Sequence, residues 1–102
     1  MSLPELRRRL VDTVFARFGE DAVWTGLPDP VRVRFRTRDE DARFQDGQYV
    51  SRITTIEVRS WEIPKPKQGD VAVLASGSFR VGGQPTLDDR GVWICAVAQH
   101  EN

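Results

Sequence analysis

The sequence predicts a mainly β domain of the α+β type, with an N-terminal helix followed by a small antiparallel β-barrel or sandwich of about five or six strands. Three observations lead there. Apolar residues recur every three or four positions as far as Phe18 and alternate every second position afterwards. Turn-forming residues then punctuate the chain at intervals of about 8–12 residues. The length of 102 residues fits a single domain, 1–102, with one core of modest size.

The helix is expected over about 3–18. Ser2 and Glu5 have capping-box spacing, and Pro4 sits where a missing N–H costs nothing. Leu3, Leu6, Leu10, Val14 and Phe18 form the apolar stripe, widened by Val11 and Phe15, with Arg7, Arg8, Asp12 and Arg17 mostly on the other side. A helix this short is marginal alone, so the stripe is expected to dock, and Gly19 to end the helix.

The barrel is expected over about 22–98. Ala22 to Trp24 reads as a short strand before the turn at Gly26, Pro28 and Pro30. From Val31 the alternation is strict, with Val33, Phe35 and Thr37 on one face and Arg32, Arg34, Arg36 and Arg38 on the other. Residues 39–49 read as a polar loop containing Asp39, Glu40, Asp41, Asp46 and Gly47, longer than the usual hairpin connection. Val50 to Ile63 reads as a long strand. Its alternation slips between Ile53 and Ile56, as at a bulge or where a strand crosses two environments. Pro64-Lys-Pro-Lys67 ends it. Strands at Val71 to Ala75 and Ser78 to Val81, an extended piece at Gln84 to Leu87 and a last strand at Val92 to Ala98 follow. The residues from His100 onward are expected to fray.

Several function classes are disfavoured. Lys+Arg and Asp+Glu number 15 each, so bulk charge gives no reason to invoke nucleic acid or a membrane surface. No apolar run has the length of a membrane span, and the Arg7-Arg8-Arg9 run has no apolar stretch behind it, so no secretory signal is expected. One cysteine excludes an intrachain disulfide and suits a reducing compartment. The expectation is a protein that is not an enzyme. His100 lies in the tail and Cys95 in an apolar strand, which leaves no catalytic residues to name. One Cys and one His cannot close a metal site, and the acidic loop lacks the calcium-loop pattern. Gly82-Gly83 does not open a helix and makes no phosphate cradle. No metal or other cofactor is therefore expected.

What remains is a set of binding surfaces. The Arg32–Arg38 row can follow a phosphate backbone, which makes a small β-barrel nucleic-acid binder the alternative reading. The favoured reading of the same row is a solvated face paired with acids such as Glu57 across a strand. Phe35 on the opposite face counts against base stacking. Trp61, at a strand end, is a candidate interface anchor. Arg7 and Arg8 are either a solvated helix face or a contact to an acidic neighbour.

The order of the parts also resembles a known family. After the helix, the strand, the polar segment and the long strand come the Gly69-Asp70 turn, Phe79-Arg80-Val81-Gly82, and Asp88-Asp89-Arg90-Gly91 leading into the final strand. This resembles the small head–tail joining (head completion, stopper) proteins of tailed bacteriophages and prophages, the lambda-like attachment family, over nearly the whole chain. The basic strand 32–38 is not a feature that family requires. The resemblance implies a structural virion protein, made in the host bacterial cytoplasm and placed at the head–tail junction. It implies a monomer in solution that forms a ring below the portal, retains packaged DNA and docks the tail. The partners implied are the portal or adaptor ring and tail proteins, with DNA passing without sequence-specific binding. It further implies that the segment of Asp39, Glu40, Asp41, Asp46 and Gly47 lines or plugs the channel, and it leaves Arg7, Arg8, Arg32, Arg34, Arg36 and Trp61 as the interface candidates.

Overall fold

A computed structural model describes residues 2–44 and 47–100, with side chains over 2–37 and 54–100. Helix α1 (Leu3–Phe18) has the expected bounds. The Ser2 hydroxyl accepts from the Glu5 N–H at 3.2 Å, which satisfies one of the free donors at the helix start.

Seven strands follow: β1 (Glu20–Trp24), β2 (Val31–Phe44), β3 (Gly47–Arg59), β4 (Val71–Leu74), β5 (Gly77–Val81), β6 (Thr86–Leu87) and β7 (Val92–Gln99). The sheet runs β3-β2-β1-β4-β5-β7-β6, and β3 also pairs with β7. That pairing closes six of the strands into an antiparallel barrel. The short β6 lies on β7 beside Trp93 and Ile94, while β5 takes the far end of β7 at Val97 to Gln99. Of the two architectures the sequence allows, the barrel is the one formed, and closure removes the open sheet edges along the paired lengths.

Alternation fills the interior. Ala22, Trp24, Val33, Ile56, Val58, Ala72, Leu74, Val81 and Cys95 form the barrel core. A second, smaller cluster lies outside the barrel, where Val11 and Phe15 of α1 cover Val92 against Trp61.

Four expectations are corrected. First, 39–49 is not a loop. Asp39, Glu40 and Asp41 lie in β2, and Gly47 opens β3, in unbroken register from Val33↔Val58 to Phe44↔Gly47. Asp46 lies outside the described residues. The last pair between β3 and β7 is Thr54↔Val97. Beyond it, 38–44 and 47–53 continue as a two-stranded ribbon on the order of 24 Å long at ~3.4 Å per residue. The slip between Ile53 and Ile56 marks this exit from the barrel, and the constant register leaves no bulge there.

Second, the strand expected to reach Ile63 stops at Arg59. The Glu62 and Ile63 N–H groups both turn back to the Arg59 carbonyl, and Ser60 N–H donates to Gly91. Third, β7 runs to Gln99, and His100 N–H donates to the Ser78 carbonyl at 2.8 Å, so the chain is held through His100 and does not fray there.

Fourth, the helix is rotated about its axis relative to its expected docking. Val11 and Phe15 are buried, but Leu3, Leu6, Leu10 and Phe18 face out. The polar residues Arg8 and Asp12 turn toward the barrel instead. Asp12 Oδ1 accepts from Arg59 Nη1 at 2.7 Å and from Trp61 Nε1 at 2.9 Å, and the Arg8 guanidinium lies 4.7 Å from the Trp61 ring centre. These polar contacts and the cation–π contact select which part of a wide apolar arc is buried.

Candidate docking surfaces

The interface candidates fall into two groups. Arg7, Arg8 and Trp61 come together at the N-terminal end of α1. Arg7 Nη1 reaches the Asp89 carbonyl at 3.4 Å, and Arg8 covers Trp61. With Leu3, Pro4 and Gly91 they line an open groove of about 330 Å³. Gly91 has φ +81, and a Cβ there would come within 3.2 Å of the Trp61 ring, so both torsion and space call for glycine. Trp61 is thus the floor of the groove, half-buried and pinned by Asp12.

The turn beside this groove is tightly made. Asp88 Oδ1 accepts from the Arg90 N–H at 2.8 Å and the Val92 N–H at 3.0 Å, and Oδ2 accepts from Arg90 Nε at 2.8 Å. Burial alone would raise the Asp88 carboxyl. The Val92 N–H, the Arg90 side chain and the Arg90 N–H, together with the guanidinium charge, outweigh it and hold the group below its ordinary value of 3.8. A folded-state value below the unfolded one favours the folded state wherever the carboxylate is ionised. The contribution is complete above the ordinary range and lost as pH falls through the lowered value. Urea midpoints measured from pH 6 down to pH 3 should fall more steeply below about pH 4 in the natural protein than in Asp88→Asn. Equal slopes would mean that Asp88 contributes nothing.

Arg32, Arg34 and Arg36 form the second group, on the outer face of β2, and each is engaged. Arg32 caps α1: its Nε donates to the Phe15 carbonyl at 3.2 Å, Nη2 to Ala16 at 3.1 Å, and Nη1 to Asp21 at 3.1 Å. Positive charge at the carbonyl end of a helix is the favourable sign. Arg34 and Arg36 face Glu57 at 3.7 and 3.8 Å, and Arg90 faces it at 3.9 Å. Glu57 is the cross-strand partner of Arg34 and is 5% exposed. At these distances the carboxylate is held by charge from three sides. Arg34, Arg36 and Arg90 thus share one buried carboxylate, and the Arg36 side chain remains 60% exposed. The side chain of Arg38 lies outside those described.

Two surfaces escaped the sequence reading. One is the outward half of the α1 stripe. The other is the outer pair Val23 and Val73, cross-strand partners on β1 and β4. Helical periodicity reveals an apolar arc but not how much of it is used, and a lone outward valine carries no signal.

Cys95 is fully buried, and burial together with the Asp70 charge pushes its thiol up to about 12. Among the described residues no group of three His, Cys, Asp or Glu could hold a metal ion, and no helix is long and apolar enough to cross a membrane.

The family described as Phage Head-Tail Attachment protein matches residues 4–97, from the first turn of α1 to near the end of β7. Among the curated proteins none matches the chain.

Proposed function

Because the chain belongs to the phage head–tail attachment family, structural proteins that join the phage head to its tail, we propose that its copies form a ring below the portal which retains packaged DNA and receives the tail. The family match over residues 4–97 carries this reading. The work is binding, with no catalytic step, and it is done in the virion after synthesis in the host bacterial cytoplasm. The portal or adaptor ring lies on one side and tail proteins on the other. The chain is a monomer until it meets them.

The β2–β3 ribbon is the part suited to the channel. It extends past the last barrel pair, Thr54↔Val97, and by sequence it carries Asp39, Glu40 and Asp41 on one strand. Arg38, Arg43 and Arg52 balance those three acids on the ribbon, so a channel lined by such ribbons offers DNA no net attraction and lets it pass without sequence-specific binding.

Deleting 40–47 tests this reading. The cut leaves every β3–β7 pair in place, so the barrel should still fold. Filled heads lacking tails, mixed with the shortened protein and then with tails, should lose DNA to added nuclease and yield few joined particles. Unchanged retention and joining would remove the ribbon from the mechanism.

A further inference from the structure

The charges along 38–44 and 47–53 cancel, but those on the barrel wall from which the ribbon leaves do not. On the outer wall formed by β2, β3 and β7, Arg34, Arg36 and Arg90 converge on the one carboxylate of Glu57, at 3.7, 3.8 and 3.9 Å. Arg90 also pairs with Asp88 at 2.6 Å, so this group holds three positive charges against two negative. Arg32, next along β2, is balanced by Asp21 at 3.1 Å and adds nothing. The surplus therefore falls to Arg34 and Arg36.

The geometry leaves the donors of these two arginines unspent. Their distances to Glu57 exceed hydrogen-bond reach. Glu57 Oε1 is wholly buried and accepts no hydrogen bond from the described residues. Glu57 thus holds the guanidinium groups in place by charge without consuming their N–H groups. Arg36 borders an open cavity of about 360 Å³ together with Thr37, Thr55, Glu57 and Ile94. A guanidinium and two hydroxyl groups around one mouth are the groups that contact phosphate oxygens in protein–DNA complexes.

The place of this cavity in the fold favours DNA as the source of the phosphate. Arg36 pairs in register with Thr55, one residue inside Thr54↔Val97, the last barrel pair before the ribbon. A duplex running along the ribbon passes the ribbon's root. We infer that Arg34 and Arg36, oriented by Glu57 and joined by Thr37 and Thr55, contact a phosphate of the DNA backbone. That DNA reaches the site rests on the channel reading above. A phosphate contact carries no sequence information, and one surplus charge per copy grips weakly. Repeated around a ring it gains by effective concentration, so DNA is held at the ribbon roots while the neutral ribbons let it slide.

Amide NMR spectra of the natural protein, titrated with short duplex DNA at low salt, test the contact. Signals of residues 34–37, 55–57 and 94 should shift, and the affinity should fall with salt with a slope of about one, as for one neutralised phosphate. Arg36→Gln leaves Arg34 and Arg90 beside Glu57, so its urea midpoint should hold while binding weakens roughly tenfold, alike for every sequence. Arg36→Lys should keep most of the affinity. A polyglutamate peptide is the second arm, and a tighter response to it than to the duplex would overturn the proposal in favour of an acidic protein partner. DNA-induced shifts confined to α1 around Arg7 and Arg9 would overturn it in favour of a helix contact. No shift with either probe would remove the site. DNA retention and joining by the natural protein, scored on filled heads, keep the site and the function apart. Retention and joining without duplex binding sink the site and leave the function standing. Duplex binding at this site without joining does the reverse.

Discussion

Replacing Trp24 with alanine should cost the fold about 4 kcal/mol, the largest loss expected from a single truncation in this chain. Trp24 is the largest side chain wholly inside the barrel. Its indole Nε1 donates to Asp70 Oδ2 at 3.0 Å, and the same oxygen accepts from the Lys67 N–H at 2.9 Å. The ring therefore fills the core while its polar edge ties β1 to the turn that leads into β4. Truncation empties that volume and strips the Asp70 carboxylate of one of its two donors. A domain of this size has on the order of 5–15 kcal/mol in hand, so the variant should be near the edge of folding at room temperature. Trp24→Phe separates the terms. It keeps most of the ring and loses the indole donor, so it should cost about 1–2 kcal/mol. Urea titration of the three proteins gives both numbers. A loss below about 1.5 kcal/mol for Trp24→Ala would mean that the barrel collapses onto the vacated space.

The core was legible because it follows from alternation alone. Val33, Ile56, Val58, Val81 and Cys95 sit inward as a two-residue period requires, and Ser2 caps the helix as its spacing to Glu5 implies. The ribbon was not legible, because acidic residues are poor strand formers and three in a row read as a loop. What makes 38–44 a strand is its partner, 47–53, whose register is inherited from pairs deep in the barrel such as Val33↔Val58. The rotation of α1 was hidden for a related reason. Asp12 looks like a solvent residue on a helical wheel, and the two groups that draw it inward, Arg59 and Trp61, are 47 and 49 residues away. That Arg34 and Arg36 stand near Glu57 follows from strand pairing, but the cap that Arg32 provides to Phe15 and Ala16 depends on how the helix end meets β2. The order of elements sufficed to indicate the family. The surfaces available for docking could be found only once the helix was placed.

The corner where α1 meets the barrel is the second sensitive point, and Gly19→Ala is its probe. Gly19 has φ −87, a torsion any residue adopts, so conformational freedom is not why glycine stands there. Space is the reason. A Cβ at this position would lie 2.3 Å from the Phe15 carbonyl oxygen and 2.8 Å from that of Val33. Both obstacles are main chain, so no side-chain rotation relieves them. The Phe15 carbonyl also accepts from the Gly19 N–H at 2.9 Å and from Arg32 Nε at 3.2 Å, so the movement that admits a methyl group pulls apart the last turn of the helix and its cap. The expected cost is about 3 kcal/mol, at the upper end for overpacking. It should fall mainly on α1 and the Val11–Phe15–Val92 cluster, because the barrel core is a separate cluster. Hydrogen exchange reads the distribution. Amides of α1 should exchange roughly a hundredfold faster, while those of Ile56, Val58 and Cys95 change little. Uniform loss of protection would show that helix and barrel unfold as one unit, and unchanged protection would show that the corner yields without cost. In the expected case the substitution frees α1 and leaves the barrel and its ribbon in place. Any step of head–tail joining that survives it belongs to the barrel, and any step that fails with it depends on the helix.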